Sequence, residues 1–230
     1  MTEILTPLTE LDTDALLAVN GWKHVWADQF MYAYSGKWVW VPFYASILYV
    51  LFKNYHWKYV IGCLFAIGLT IAFADQIGAS VIRPLVERLR PSNPANPISH
   101  MVEVVNGYRG GRYGFPSGLA FFLLFLWKNR FIGIFISAWA LLTCYSRSYL
   151  GVHYPGDLLA GILLGFISAA IFYTLFKRVF HHDRNKEVKM GYLIPATGLA
   201  TILGISVYAT IVFYLKSATK LFSVLLASKR

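Results

Sequence analysis

The chain has 230 residues, of which 57% are hydrophobic, 17% aromatic and only 14% charged, with a mean hydropathy of +0.53. This composition excludes an ordinary soluble domain and predicts a single integral-membrane domain. The formal charge of +10 does not point to nucleic acid: the basic residues stand in short clusters between apolar runs, where membrane-protein loops collect them.

The opening residues, MTEILTPLTELDTD, carry neither a basic start nor an adjoining apolar run, so no cleaved signal is expected. Residues 12–34 mix apolar side chains with Asp12, Asp14, Lys23, His24 and Asp28. They predict a helix lying at the interface, with Trp22, Trp26, Tyr32 and Tyr34 at headgroup level. Apolar runs follow at 38–52, 59–82, 131–145, 158–176 and 191–215, most of them near the roughly 20 residues a crossing needs. Period-2 patterning is absent, and a helix satisfies its own backbone in lipid. The predicted fold class is therefore all-α, a polytopic transmembrane bundle of about six spans, or five plus an interfacial N-terminal region over 1–36. Residues 216–230 read as an interfacial or frayed tail. Cys63 and Cys144 each sit inside an apolar run, without metal-ligand spacing, and read as small buried side chains.

Basic connections at 53–58, 128–130 and 177–189 fall on one side if the runs alternate, and the positive-inside rule makes that side cytoplasmic. The segment 83–116 and the turn 146–157 then share the outer face. One run breaks the pattern. From Ser117 to Trp127 there are eleven residues before Lys128, about 16 Å of helix against a hydrocarbon core of about 30 Å. The span is short by roughly two turns.

Functional groups concentrate in two stretches on the outer side, RPLVERLRP at 83–91 and SRSYLGVHYPGD at 146–157. Guanidinium forks match phosphate oxygens, and phosphoryl transfer needs positive charge around them. His153 precedes Asp157 by four residues; an imidazole attacks phosphorus through one nitrogen while a carboxylate fixes the proton on the other.

These residues resemble the motifs of the type 2 phosphatidic acid phosphatase superfamily of membrane lipid phosphatases. The family's first motif, Lys, six residues, Arg-Pro, is met by Arg83 and Arg90-Pro91; its third, Ser-Arg, five residues, His, three residues, Asp, is met in full by Ser146-Arg147, His153 and Asp157. Its second, Pro-Ser-Gly-His, is met by Pro116-Ser117-Gly118, but Leu119 follows. The resemblance implies His153 as the nucleophile of a phosphohistidine mechanism and Asp157 as its orienting partner. It implies phosphate binding by Arg83, Arg90, Arg147, Ser117 and Gly118, the last two through a helix start. No metal or other cofactor is implied, and no carboxylate cluster in the sequence suggests one. Arg109 and Arg112 are further candidates for attracting phosphate, and Gly107, Gly110 and Gly111 read either as a gating loop or as plain turns.

In the family the motif-two histidine protonates the leaving oxygen, which a leucine cannot do. The missing acid and the short span coincide, and one loss of about seven residues there explains both; degeneration of the site in place is the alternative.

The reading that follows is a hydrolase of a membrane lipid phosphate or diphosphate, with its site on the outer (periplasmic) face of a bacterial inner membrane. Undecaprenyl diphosphate, phosphatidylglycerol phosphate, phosphatidic acid and lipid A phosphates are candidate substrates, with a lean to polyprenyl diphosphate because the chain is compact. The bilayer and its lipid phosphate are the partners expected, and nucleic acid is not. The competing reading is a lipid-phosphate binder or transport protein without turnover. Soluble haloperoxidase relatives are opposed by the apolar runs.

Overall fold

The computed structural model describes residues 2–78, 80, 88–109 and 117–227. The described residues form eight α-helices: α1 (Thr2–Asn20), α2 (Val25–Tyr34), α3 (Val41–Asn54), α4 (Trp57–Ile77), α5 (Ser117–Leu126), α6 (Arg130–Tyr149), α7 (Pro155–Phe180) and α8 (Leu193–Ala227). Short 3₁₀ turns occupy Trp38–Trp40 and Val105–Gly107. No strand occurs among the described residues. Four helices are long and apolar enough to cross a membrane: Trp57–Ile77, Arg130–Tyr149, Pro155–Phe180 and Leu193–Leu221. Their outward faces carry large exposed apolar residues such as Phe65, Leu159, Leu163 and Leu203, as lipid-facing helices do. Two apolar helices are shorter, α3 with 14 residues and α5 with 10.

The chain reversals sort to two ends. At one end the basic connections meet: Asn54 donates to Lys189 O at 2.9 Å, Lys186 donates to Asn54 O at 2.9 Å, and the Lys128 N–H reaches Arg184 O at 3.4 Å. At the other end α1, the 88–109 segment and the α6–α7 turn meet. Asn20 there donates to Glu103 O and Tyr149 O at 3.0 and 2.8 Å, and Asn96 donates to the Tyr154 hydroxyl at 3.0 Å.

Three local expectations are corrected. Residues 12–34 form two helices broken after Asn20 rather than one, and Tyr34 leaves the headgroup zone for the core. It is 1% exposed, donates to Trp139 O at 3.2 Å and lies edge-on to Trp40. The burial follows from packing: the aromatic set Tyr34, Trp40, Phe43 and Trp139 offers edge-to-face partners that an interface does not. α8 continues through Ala227, so residues 216–227 of the expected tail are helical. The run 38–52 becomes a 3₁₀ turn followed by α3, with Pro42 in the first helical turn, where its missing N–H is harmless.

The short helix α5 is held at its far end. His182 Nε2 reaches Leu126 O at 2.7 Å, and since a carbonyl only accepts, that nitrogen carries the proton and Nδ1 accepts from the Tyr59 hydroxyl at 2.5 Å. Arg184 donates to Leu124 O at 3.0 Å. The connection after α7 thus satisfies carbonyls that a longer helix would pair internally, so polar chain reaches this depth only where protein encloses it.

Candidate active site

The turn between α6 and α7 is built to reverse sharply. Gly151 has φ +69°, and a Cβ there would meet Val102 Cγ1 at 2.3 Å, so only glycine serves. The Val152 N–H returns to Arg147 O at 3.0 Å, and Ser148 Oγ donates to His153 O at 3.2 Å. Tyr154 then caps α7, Pro155 opens it, and the Asp157 carboxylate accepts the Tyr154 N–H at 3.3 Å. These contacts set Arg147 in the last turn of α6 and place Asp157 one turn from His153.

His153 Nδ1 lies 3.7 Å from Asp157 Oδ2, just beyond hydrogen-bond reach, the loose spacing common in sites without ligand. The His153 side chain is 14% exposed and that of Asp157 41%. Burial pushes the His153 pKa below its ordinary value, the neighbouring Asp157 carboxylate opposes it, and the Arg90 and Arg147 charges press it further down. The imidazole is therefore neutral near pH 7, with two guanidinium groups close enough to act on it.

The structure thus brings together four of the seven residues expected at the site: Arg90, Arg147, His153 and Asp157. Arg83, with Pro116 and Arg112, lies outside the described residues. Ser117 and Gly118 are described, and they stand elsewhere. Ser117 is 3% exposed and donates to Gly161 O at 3.0 Å, while a Cβ on Gly165 would lie 2.5 Å from Ser117 Oγ and 2.9 Å from Gly118 N. Gly161 follows Asp157 by one helical turn and Gly165 by two, so this contact lies about 6–12 Å deeper along α7 than Asp157. The far end of α5 is anchored by His182 and Arg184, and a contact between small residues seats its near end against Gly161 and Gly165. Ser117, Gly118 and Leu119 are consecutive residues of α5. Arg109 donates to Ser92 O, beside Pro91, and Gly107 has φ +71° in the turn before it.

Sequence reasoning missed two contributors. Asp12 of α1 accepts from the Gly156 N–H at 2.7 Å and from Arg88 Nη1 at 2.5 Å, and the Arg88 guanidinium lies 3.2 Å from the Tyr154 ring centroid. This clamp holds the start of α7, where His153 and Asp157 stand. Tyr108, at the end of the second 3₁₀ turn, accepts from Arg147 Nη1 at 2.6 Å. Beside the clamp lies a cavity of about 630 Å³ lined by polar residues that include Glu10, Asp14, Arg88 and Asn96. No local motif marks Asp12 or Tyr108, which come from distant segments.

A helical membrane bundle that sets two arginines near a partly buried histidine, itself backed by a carboxylate, is a phosphate-handling membrane protein in its architecture. The model of the PAP2 superfamily matches residues 59–181, and the chain belongs to that family. It is 45% identical over 219 residues to a lipid A 4'-phosphatase of Bacteroides thetaiotaomicron, covering 89% of this chain and 97% of the relative. A lipid A 4'-phosphatase of Porphyromonas gingivalis is 34% identical over 207 residues, covering 87% of this chain and 85% of that protein. An undecaprenyl-diphosphatase of Sulfolobus acidocaldarius is 32% identical over 142 residues, 59% of this chain and 63% of its own length. No solved structure gives a significant match.

Proposed function

We propose that this chain is an integral-membrane lipid phosphatase acting on a phosphomonoester of a lipid A-type glycolipid, through attack by His153 on phosphorus. The observation that carries the reading is the α6–α7 turn, which sets the partly buried His153 with Nδ1 3.7 Å from Asp157 Oδ2 and ties Arg147 O to the Val152 N–H, with the Arg90 charge near enough to act on the imidazole. With that proton held by the carboxylate, Nε2 is the attacking nitrogen, and the arginines balance charge on the equatorial oxygens. Arg83 adds a further cation. Ser117 and Gly118 join the phosphate cradle only if α5 moves outward along α7.

The two lipid A 4'-phosphatase relatives cover most of this chain, whereas the undecaprenyl-diphosphatase covers 59% of it, which moves the substrate reading from polyprenyl diphosphate to a glycolipid phosphate. The cavity beside Tyr154 supports the same choice. Its carboxylates, the Asn96 amide and the Arg88 guanidinium offer hydrogen bonds to sugar hydroxyls. The basic connections at the opposite end favour a site facing away from the cytoplasm.

Two observations stand on the side of the competing reading, a binder without turnover: the seating of Ser117 on Gly161 O and the leucine in place of the family's acid. Phosphate release from the purified chain in nanodiscs separates the two. The phosphatase reading predicts release from lipid A above that from undecaprenyl diphosphate, abolished in His153→Ala. Equal background release from both proteins overturns it.

A further inference from the structure

The reaction proposed above needs a proton for the departing oxygen, and the helix that supplies it in the family ends here in Ser117-Gly118-Leu119. The other histidines are engaged elsewhere or stand apart. His24 caps α2 and stacks on Phe213, His56 caps α4, His181 ends α7, and His182 is held by Tyr59 and Leu126. His100 is exposed in the 88–109 segment.

We propose that Tyr108 is the proton donor, a role that rests on the phosphatase reading. Its position is built rather than incidental. Val105 is buried, Asn106 donates to Gln29 Oε1 at 3.2 Å, Gly107 turns the chain at φ +71°, and the Tyr108 ring meets Tyr32 edge-on at 5.9 Å. The phenol oxygen then receives Arg147 Nη1 at 2.6 Å. A guanidinium donates and never accepts, so the phenol's own hydrogen is directed away from Arg147. With Arg147 on the equatorial oxygens of a phosphate, the phenol that shares its guanidinium stands at the edge of that phosphate, and its hydrogen serves the departing oxygen.

The step balances. The Nε2 lone pair of His153 forms the N–P bond as the P–O bond to the lipid breaks, and the Tyr108 proton passes to the departing oxygen. The products are the lipid alcohol, phosphohistidine and a tyrosinate beside the Arg147 cation. Water then attacks phosphorus, its proton restores Tyr108, the P–N electrons return to His153, and inorganic phosphate leaves. A phenol is a weaker acid than an imidazolium, so the chain should work more slowly than a relative retaining the histidine.

The test compares wild type, Tyr108→Phe and His153→Ala on two substrates, a glycolipid phosphate with a poor alkoxide leaving group and p-nitrophenyl phosphate, whose leaving group needs no acid. Loss of a positioned acid lowers the rate by about 10²–10⁴ where the acid matters. Tyr108→Phe should lower lipid turnover by at least about 10²-fold, and by at least ten times more than it lowers aryl phosphate turnover. Equal losses on both substrates would make Tyr108 a support for Arg147 and overturn the assignment, as would no loss on the lipid. A wild-type chain active on the aryl phosphate but inert on the lipid has no working acid, which overturns Tyr108 and leaves the histidine chemistry standing. Inertness on both substrates overturns the phosphatase reading itself.

Discussion

Asp12 offers a severe test of how the site is held, because it lies 144 residues from Gly156 and 76 from Arg88. In Asp12→Ala the Gly156 N–H loses its acceptor and Arg88 loses its carboxylate. Arg88 keeps Thr13 Oγ1 at 2.7 Å, Thr9 O at 3.2 Å and the Tyr154 ring. Hydrogen bonds to charged groups contribute about 1.5–3 kcal/mol each, and the side chains of the pair are 17% and 19% exposed, so solvent takes up part of the loss. The net destabilisation should be about 2–4 kcal/mol, or roughly 5–15 °C in Tm for a chain of this size. The activity effect is separate. A start of α7 freed to shift by about 1 Å misplaces His153 and Asp157, which costs about 10²-fold in kcat. Thermal unfolding in detergent and phosphate release read the two effects. Asp12→Asn keeps an acceptor for Gly156 and should fall between the two proteins in both. A Tm within about 1 °C of wild type together with unchanged kcat would refute the clamp, since the charged contacts alone should exceed that shift.

The lowered His153 pKa sets the sign of the pH dependence. Attack requires neutral imidazole, so the acid limb of kcat/KM should have its midpoint below 6.5, the ordinary histidine value. Arg147→Gln removes a lowering charge and should move that limb to higher pH, while Asp157→Asn should move it lower and also reduce kcat; a limb that stays still in both variants contradicts the assignment. By linkage, a folded pKa below the unfolded one means that stability declines as pH falls from about 6.5 through the folded value, which unfolding across pH 5–7 should show. Gly151→Ala combines a left-handed φ with a Cβ 2.3 Å from Val102 and should destabilise by about 2–4 kcal/mol, seen as a lowered Tm. Inserting about seven helix-forming residues after Gly118, beginning with His, should raise lipid turnover at least tenfold; no gain would mean that the seating of α5 is not what limits the site.

Much of the bundle was legible because its signals are local. Apolar runs of about 20 residues can satisfy their backbone only as helices, and α4, α6, α7 and α8 follow them closely. The core of the site was legible for the same reason: Ser146 to Asp157 are twelve contiguous residues, punctuated by Gly151 and Pro155, and the turn they specify brings Arg147 and His153 together. What escaped reading depends on distant partners. Tyr34 packs on Trp40 of the first 3₁₀ turn and bonds Trp139 O of α6, Asp12 acts through Arg88 and α7, and Tyr108 reaches Arg147 across 39 residues. The length of α5 showed that a span was short, but not how its ends would be seated. The far end is anchored by His182 and Arg184, which belong to another connection.

The most direct test of the account is to trap the covalent step. Wild-type and His153→Ala chains in nanodiscs are mixed briefly with lipid A labelled in its phosphates and quenched in base, which preserves phosphohistidine. Their His153-containing peptides are then mapped. The account predicts a labelled peptide in the wild type, absent from the variant, appearing before free phosphate accumulates. Phosphate released at the same rate by both proteins, with no label on the chain, would contradict it.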